Sequence, residues 1–89
     1  MYKAVIAGYA RSPFTMAKKG ELIDIKPVNL LSEVIKKLVT QSKVNPNDIE
    51  DIVVGCAFQV GEQCFNIGKL VTFLTGMDIK TSGMTVDRW

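Results

Sequence analysis

Asp51-Ile52-Val53-Val54-Gly55-Cys56-Ala57-Phe58-Gln59 is the stretch on which the fold turns. Ile52, Val53 and Val54 are β-branched and consecutive, and a short apolar run of this kind reads as a strand. Gly61 ends it. The period then changes. Ile67, Leu70, Val71 and Leu74 recur at helical spacing, which predicts a helix over about Asn66 to Thr75. Gly76 comes next as the left-handed residue that closes many helices. Ser82 to Trp89 begins another strand. Two strands joined through a helix, rather than by a tight turn, favour parallel pairing.

Upstream, Asn45-Pro46-Asn47-Asp48 is a turn, because proline disfavours helix at the residue before it. Before that turn, Leu31, Val34, Ile35, Leu38 and Val39 form one apolar helical stripe. Glu33, Lys36, Lys37 and Gln41 lie on the opposite side, with Glu33 and Lys37 spaced to pair. Asn29 is the expected N-cap of this helix. Arg11 to Pro27 is a long connection carrying Pro13, Gly20 and Pro27, with Leu22, Ile23 and Ile25 as a short extended piece. Tyr2 to Ala10 is apolar at both parities except for Lys3, which predicts a strand covered on both faces. The order β-α-β-α-β is that of an α/β layer with mostly parallel strands, in one domain over residues 1–89.

Composition narrows the function. The chain has 89 residues, a net charge of +2, 47% apolar and 22% charged residues, ordinary values for a globular protein. The lysines are scattered apart from Lys18-Lys19 and Lys36-Lys37, which read as solvated surface, so nucleic acid is not an expected partner. No run approaches the roughly 20 apolar residues of a membrane span. Residues Met1 to Ala10 lack the layout of a secretory signal, and a cytoplasmic location is expected. Cys56 and Cys64 match no zinc spacing. The chain contains no histidine, which removes most acid–base and nucleophile-activating schemes. Gly55 and Gly61 read as strand-end flexibility rather than a phosphate cradle.

Four segments, in order, carry a resemblance. They are Ala4-Val5-Ile6 leading to Ala10-Arg11-Ser12-Pro13-Phe14; Ile52-Val53-Val54-Gly55-Cys56; Gly61-Glu62-Gln63-Cys64-Phe65-Asn66; and Met84-Thr85-Val86-Asp87-Arg88-Trp89. Together they resemble the N-terminal part of the thiolases, and the ending is most similar to the 3-ketoacyl-CoA thiolases of fatty-acid degradation. Two features depart from the family pattern. Cys64 and Phe65 separate Gln63 from Asn66, and Lys69 stands where arginine is common.

The resemblance implies a three-layer α/β/α fold, of which this chain is an incomplete N-terminal portion. It also implies covalent acyl transfer, in which a cysteine thiolate takes the acyl group from acyl-CoA and CoA or a second substrate resolves the intermediate. The nucleophile is expected directly after Trp89, at a helix N-terminus that favours thiolate. The histidine, second cysteine and oxyanion donors come from later still.

On this reading the 89 residues hold no catalytic, cofactor-binding or metal-binding residue, and the CoA thioester is the substrate of the complete enzyme. Whether the chain is itself an enzyme stays open. Cys56 is expected as a buried hydrophobe in its strand and Cys64 in a loop or helix start. Structural or oligomer-contact roles fall to Arg11, pinning the long loop; to Gln63 and Asn66, satisfying loop backbone; and to Asp87 and Arg88, pairing with a neighbouring subunit or domain. Trp89 is expected to be exposed here and packed in a whole enzyme. Unpaired strand edges should favour a homo-oligomer or a complementary C-terminal polypeptide. The alternatives are one piece of a split enzyme completed in trans, the product of an interrupted gene, an arbitrary fragment of a longer protein, and a non-catalytic module binding acyl-CoA or protein.

Overall fold

The structure, a computed structural model, describes residues 2–88. Helix α1 spans Pro27–Ser42, strand β1 Asp51–Gly55, helix α2 Ile67–Leu74 and strand β2 Ser82–Val86. Single 3₁₀ turns at Pro46–Asp48 and Gly61–Gln63 punctuate the connections. The two strands pair in parallel, with Asp51 opposite Ser82 and Gly55 opposite Val86. This is an incomplete α/β arrangement.

Helix α1 starts earlier than expected. Pro27 occupies its first turn, where a fixed φ suits the helix and the missing N–H costs nothing. Lys26 is therefore the N-cap position, without a side-chain bond, and Asn29 lies inside the helix. The helix closes on Lys43 in the left-handed region at φ 56. The Lys43 N–H bonds Thr40 O at 3.3 Å and the Val44 N–H bonds Val39 O at 3.4 Å, a Schellman closure without glycine. Helix α2 ends the same way on Gly76 (φ 72), with the Met77 N–H on Thr72 O at 3.2 Å. Glu33 pairs with Lys36 at 3.7 Å rather than with Lys37, and both side chains are exposed.

Helix α2 packs on both strands and α1 packs beside α2. The sheet presents Gly83 and Thr85 to α2, and by register Ile52 and Val54 share that face. Val53, Met84 and Val86 on the other face are exposed. Ile67 (3% exposed) and Val71 (0%) are the buried hydrophobic residues, joined by Thr72 and Thr81. Leu70 and Leu74, expected on the same buried face, remain partly exposed. Thr81 donates its hydroxyl to Ile49 O at 2.7 Å, and Thr72 to Lys69 O at 2.7 Å, so burial leaves neither hydroxyl unsatisfied.

The expected first strand does not form. Residues 2–16 carry no regular secondary structure, and Tyr2, Val5, Ile6 and Tyr9 are all at least 80% exposed. The segment instead runs back along α1. A Cβ on Gly8 would sit 2.8 Å from Ser42 Oγ, while Ala10 to Pro13 share a cleft with Leu30, Glu33, Val34 and Lys37. A strand needs a partner for its backbone groups, and no strand beyond β1 and β2 is found among the described residues. Leu22, Ile23 and Ile25 are also not extended. They fall in successive turns, with the Ile23 N–H on Gly20 O at 3.3 Å and the Ile25 N–H on Leu22 O at 3.1 Å. Strand β1 is shorter than expected, because the Cys56 N–H makes the last bond to Val86 O at 2.9 Å and Ala57 to Val60 leave the sheet exposed. No helix among the described residues is long and apolar enough to cross a membrane.

Candidate functional site

In open parallel sheets, ligands gather outside the carboxyl ends of the strands. Here that edge comprises the loop leaving β1, the entry to α2, and the residues just past β2. Gln63 spans the loop, its amide nitrogen donating to Phe58 O at 2.9 Å. Cys56 lies one residue beyond β1, half-buried rather than buried, with its thiol directed at the same oxygen at 3.4 Å. Cys64 is half-buried too, and its thiol points at Gly61 O at 2.9 Å. Each thiol thus faces a carbonyl, and the chain offers no histidine to take a proton from either.

The entry to α2 is unusual. Phe65 (φ 61) and Asn66 (φ 57) are consecutive left-handed residues. Asn tolerates that region; a bulky aromatic there is uncommon, and the Phe65 ring is exposed. In this conformation Asn66 does not cap its own helix. Its amide nitrogen donates to Gly83 O at 3.1 Å, and its oxygen accepts from the Thr85 hydroxyl at 2.7 Å. Thr85 Oγ1 in turn accepts the Gly68 N–H at 3.0 Å. The cap of α2 therefore comes from the neighbouring strand.

Close approach makes this possible. A Cβ on Gly68 would overlap the backbone of Met84, and one on Gly83 would lie 2.5 Å from Gly68 O and Lys69 Cα. Both positions need glycine for space, not for φ. Farther along α2, Lys69 sends its ammonium to Thr81 O at 2.5 Å and Ile79 O at 3.4 Å, and lies 5.2 Å above the Phe73 ring. It ties the loop between α2 and β2 to the helix.

The remaining expected residues sit apart from this network. Arg11 donates to Ser12 O at 3.0 Å and lies 5.6 Å over the Phe14 ring, contacts with its own neighbours. The long loop is held instead by its own backbone turns, such as the Gly20 N–H on Met16 O at 2.8 Å. Asp87 and Arg88 lie past the end of β2, exposed, and form no ion pair among the described residues. Trp89 lies outside the described residues. Thr85, Gly68 and Gly83 were not singled out by sequence. The available signal was a glycine inside each of two well-patterned elements, which often marks a close backbone approach.

A parallel βαβ unit with helix α2 packed over both strands defines an incomplete α/β protein. Residues 4–89 match the profile of the thiolase N-terminal domain, and the chain belongs to the thiolase family. It is 35% identical over 89 residues to a 3-ketoacyl-CoA thiolase of Shewanella frigidimarina, an alignment covering 99% of this chain and 23% of that protein. The 3-ketoacyl-CoA thiolase of Colwellia psychrerythraea is likewise 35% identical, with the same coverage. That of Acinetobacter baumannii is 32% identical over 84 residues, 94% of this chain and 22% of the relative. The chain spans less than a quarter of the length of these curated relatives.

Proposed function

We propose that this chain supplies the N-terminal scaffold of an acyl-CoA acyltransferase of the 3-ketoacyl-CoA thiolase type, acting in fatty-acid breakdown in the cytoplasm. The observation that carries this reading is the family match over residues 4–89 to relatives of that name. The reactive groups and the CoA thioester site lie in further polypeptide, and the described residues contribute support and alignment. Two free thiols suit a reducing compartment.

The chain has no histidine to activate a nucleophile, and each of its two thiols faces a backbone carbonyl. Purified, it should therefore release no acetyl-CoA from acetoacetyl-CoA and CoA. Mixed with the C-terminal remainder of the Shewanella relative, it should restore thiolysis. Turnover by the chain alone would refute the scaffold reading. A mixture that associates yet stays inert would favour a second reading, a non-catalytic protein-binding module. The exposure of Tyr2, Val5, Ile6 and Tyr9 speaks for that second reading. On either account the partner is another polypeptide or a second copy of this chain.

A further inference from the structure

We infer that Thr85 and Asn66 are positioning residues: together they lock the end of β2 to the start of α2 and so fix where the chain beyond Val86 is presented. The catalytic consequence rests on the acyltransferase reading above; the structural one does not.

Three bonds make the lock. The Thr85 hydroxyl is used twice, accepting the Gly68 N–H at 3.0 Å and donating to Asn66 Oδ1 at 2.7 Å. The Asn66 amide nitrogen donates to Gly83 O at 3.1 Å, on the backbone two residues before Thr85. The hydroxyl both accepts and donates, and the amide uses its oxygen and one N–H, which fixes the hydroxyl rotor and the orientation of the amide. A cap from within the helix would steady the helix alone. A cap drawn from β2 couples the helix to the strand, so neither shifts without the other.

The backbone around the lock agrees with that role. Two consecutive left-handed residues, Phe65 and Asn66, bring the amide over β2. The glycine pair at 68 and 83 lets the two backbones approach closely enough for Thr85 to reach. The bond from the Cys56 N–H to Val86 O, at 2.9 Å, then carries the same alignment across to β1. The polypeptide therefore leaves Val86 from a strand held on one side by β1 and on its face by the N-terminal turn of α2. A reacting group displaced by about 1 Å can lose some 10²-fold in rate, so such fixing has kinetic weight.

The test compares the unaltered chain with Thr85→Val, Thr85→Ser and Asn66→Gly. Amide hydrogen exchange is read at Gly68 and Cys56, and turnover is read in the mixture with the C-terminal remainder of the Shewanella relative. Thr85→Val should speed exchange at both amides by about five- to tenfold, whereas Thr85→Ser, which keeps the hydroxyl, should stay within about twofold. In the mixture, Thr85→Val should lower kcat with KM for acyl-CoA unchanged, and serine should rescue it.

Should the valine variant unfold, Asn66→Gly carries the test, since glycine keeps the left-handed backbone and leaves the Gly68 bond in place. Because helix and strand are coupled, it should speed exchange at both Gly68 and Cys56, by less than Thr85→Val does, and no change at either amide would overturn the lock. Faster exchange at Gly68 without any change at Cys56 in Thr85→Val would overturn the lock, leaving a simple cap. An unprotected Gly68 amide in the unaltered chain would overturn it as well. If the unaltered mixture shows no turnover, the acyltransferase reading fails while the exchange results still judge the lock.

Discussion

Val5-Ile6 and Val53-Val54 are nearly the same in composition and opposite in outcome. Strand β1 has a partner in register from Asp51–Ser82 to Gly55–Val86, with a helix over one face. The segment holding Ile6 has α1 alongside it but no strand beside it, and Ile6 is 94% exposed. Residue type thus records a preference for pleated, covered backbone. Whether the covering is present depends on residues far away in sequence. For β1 those residues lie in β2 and α2; for the N-terminal segment no strand partner is found among the described residues.

Three variants sharpen or break that contrast. Gly83→Ala should be the most damaging, because its Cβ meets backbone rather than a yielding side chain. A loss of about 3 kcal/mol in unfolding free energy is expected from such overpacking, read by denaturant titration. A near-neutral result would mean that α2 can slide off β2. Val71→Ala comes next. It removes two methyl groups' worth of contact from a fully buried site and should cost about 2 kcal/mol. The smallest effect on stability is expected from Val5→Ser combined with Ile6→Ser, below about 0.5 kcal/mol. By light scattering, however, that double variant should be less associated than the unaltered chain, since it removes exposed apolar surface. Destabilisation equal to that of Val71→Ala would show that the N-terminal segment is no passive arm.

Much of the central unit was legible in the sequence because its signals are local. The spacing of Ile67 and Val71 placed α2, Gly76 marked its end, and Ile52 to Val54 marked β1. The start of α1 was misplaced onto Asn29 because a side-chain cap was sought where Pro27 sets the first turn. Cys56 was assigned to a strand interior that ends at Gly55. In the candidate site, Gln63 and Asn66 stood out as polar residues in a loop. Thr85 did not, since its role arises from contact with Gly68, 17 residues away. A threonine inside an apolar strand looks like any other strand residue until the helix it serves is in place.

The borrowed cap also bears on the order of events during synthesis. Helix α2 has eight residues, too few to persist in water by propensity alone. When Leu74 leaves the ribosome, the hydroxyl that completes the first turn of α2 is still inside the exit tunnel. The helix must wait for Thr85 to emerge, so α2 and β2 mature in a single step rather than one after the other.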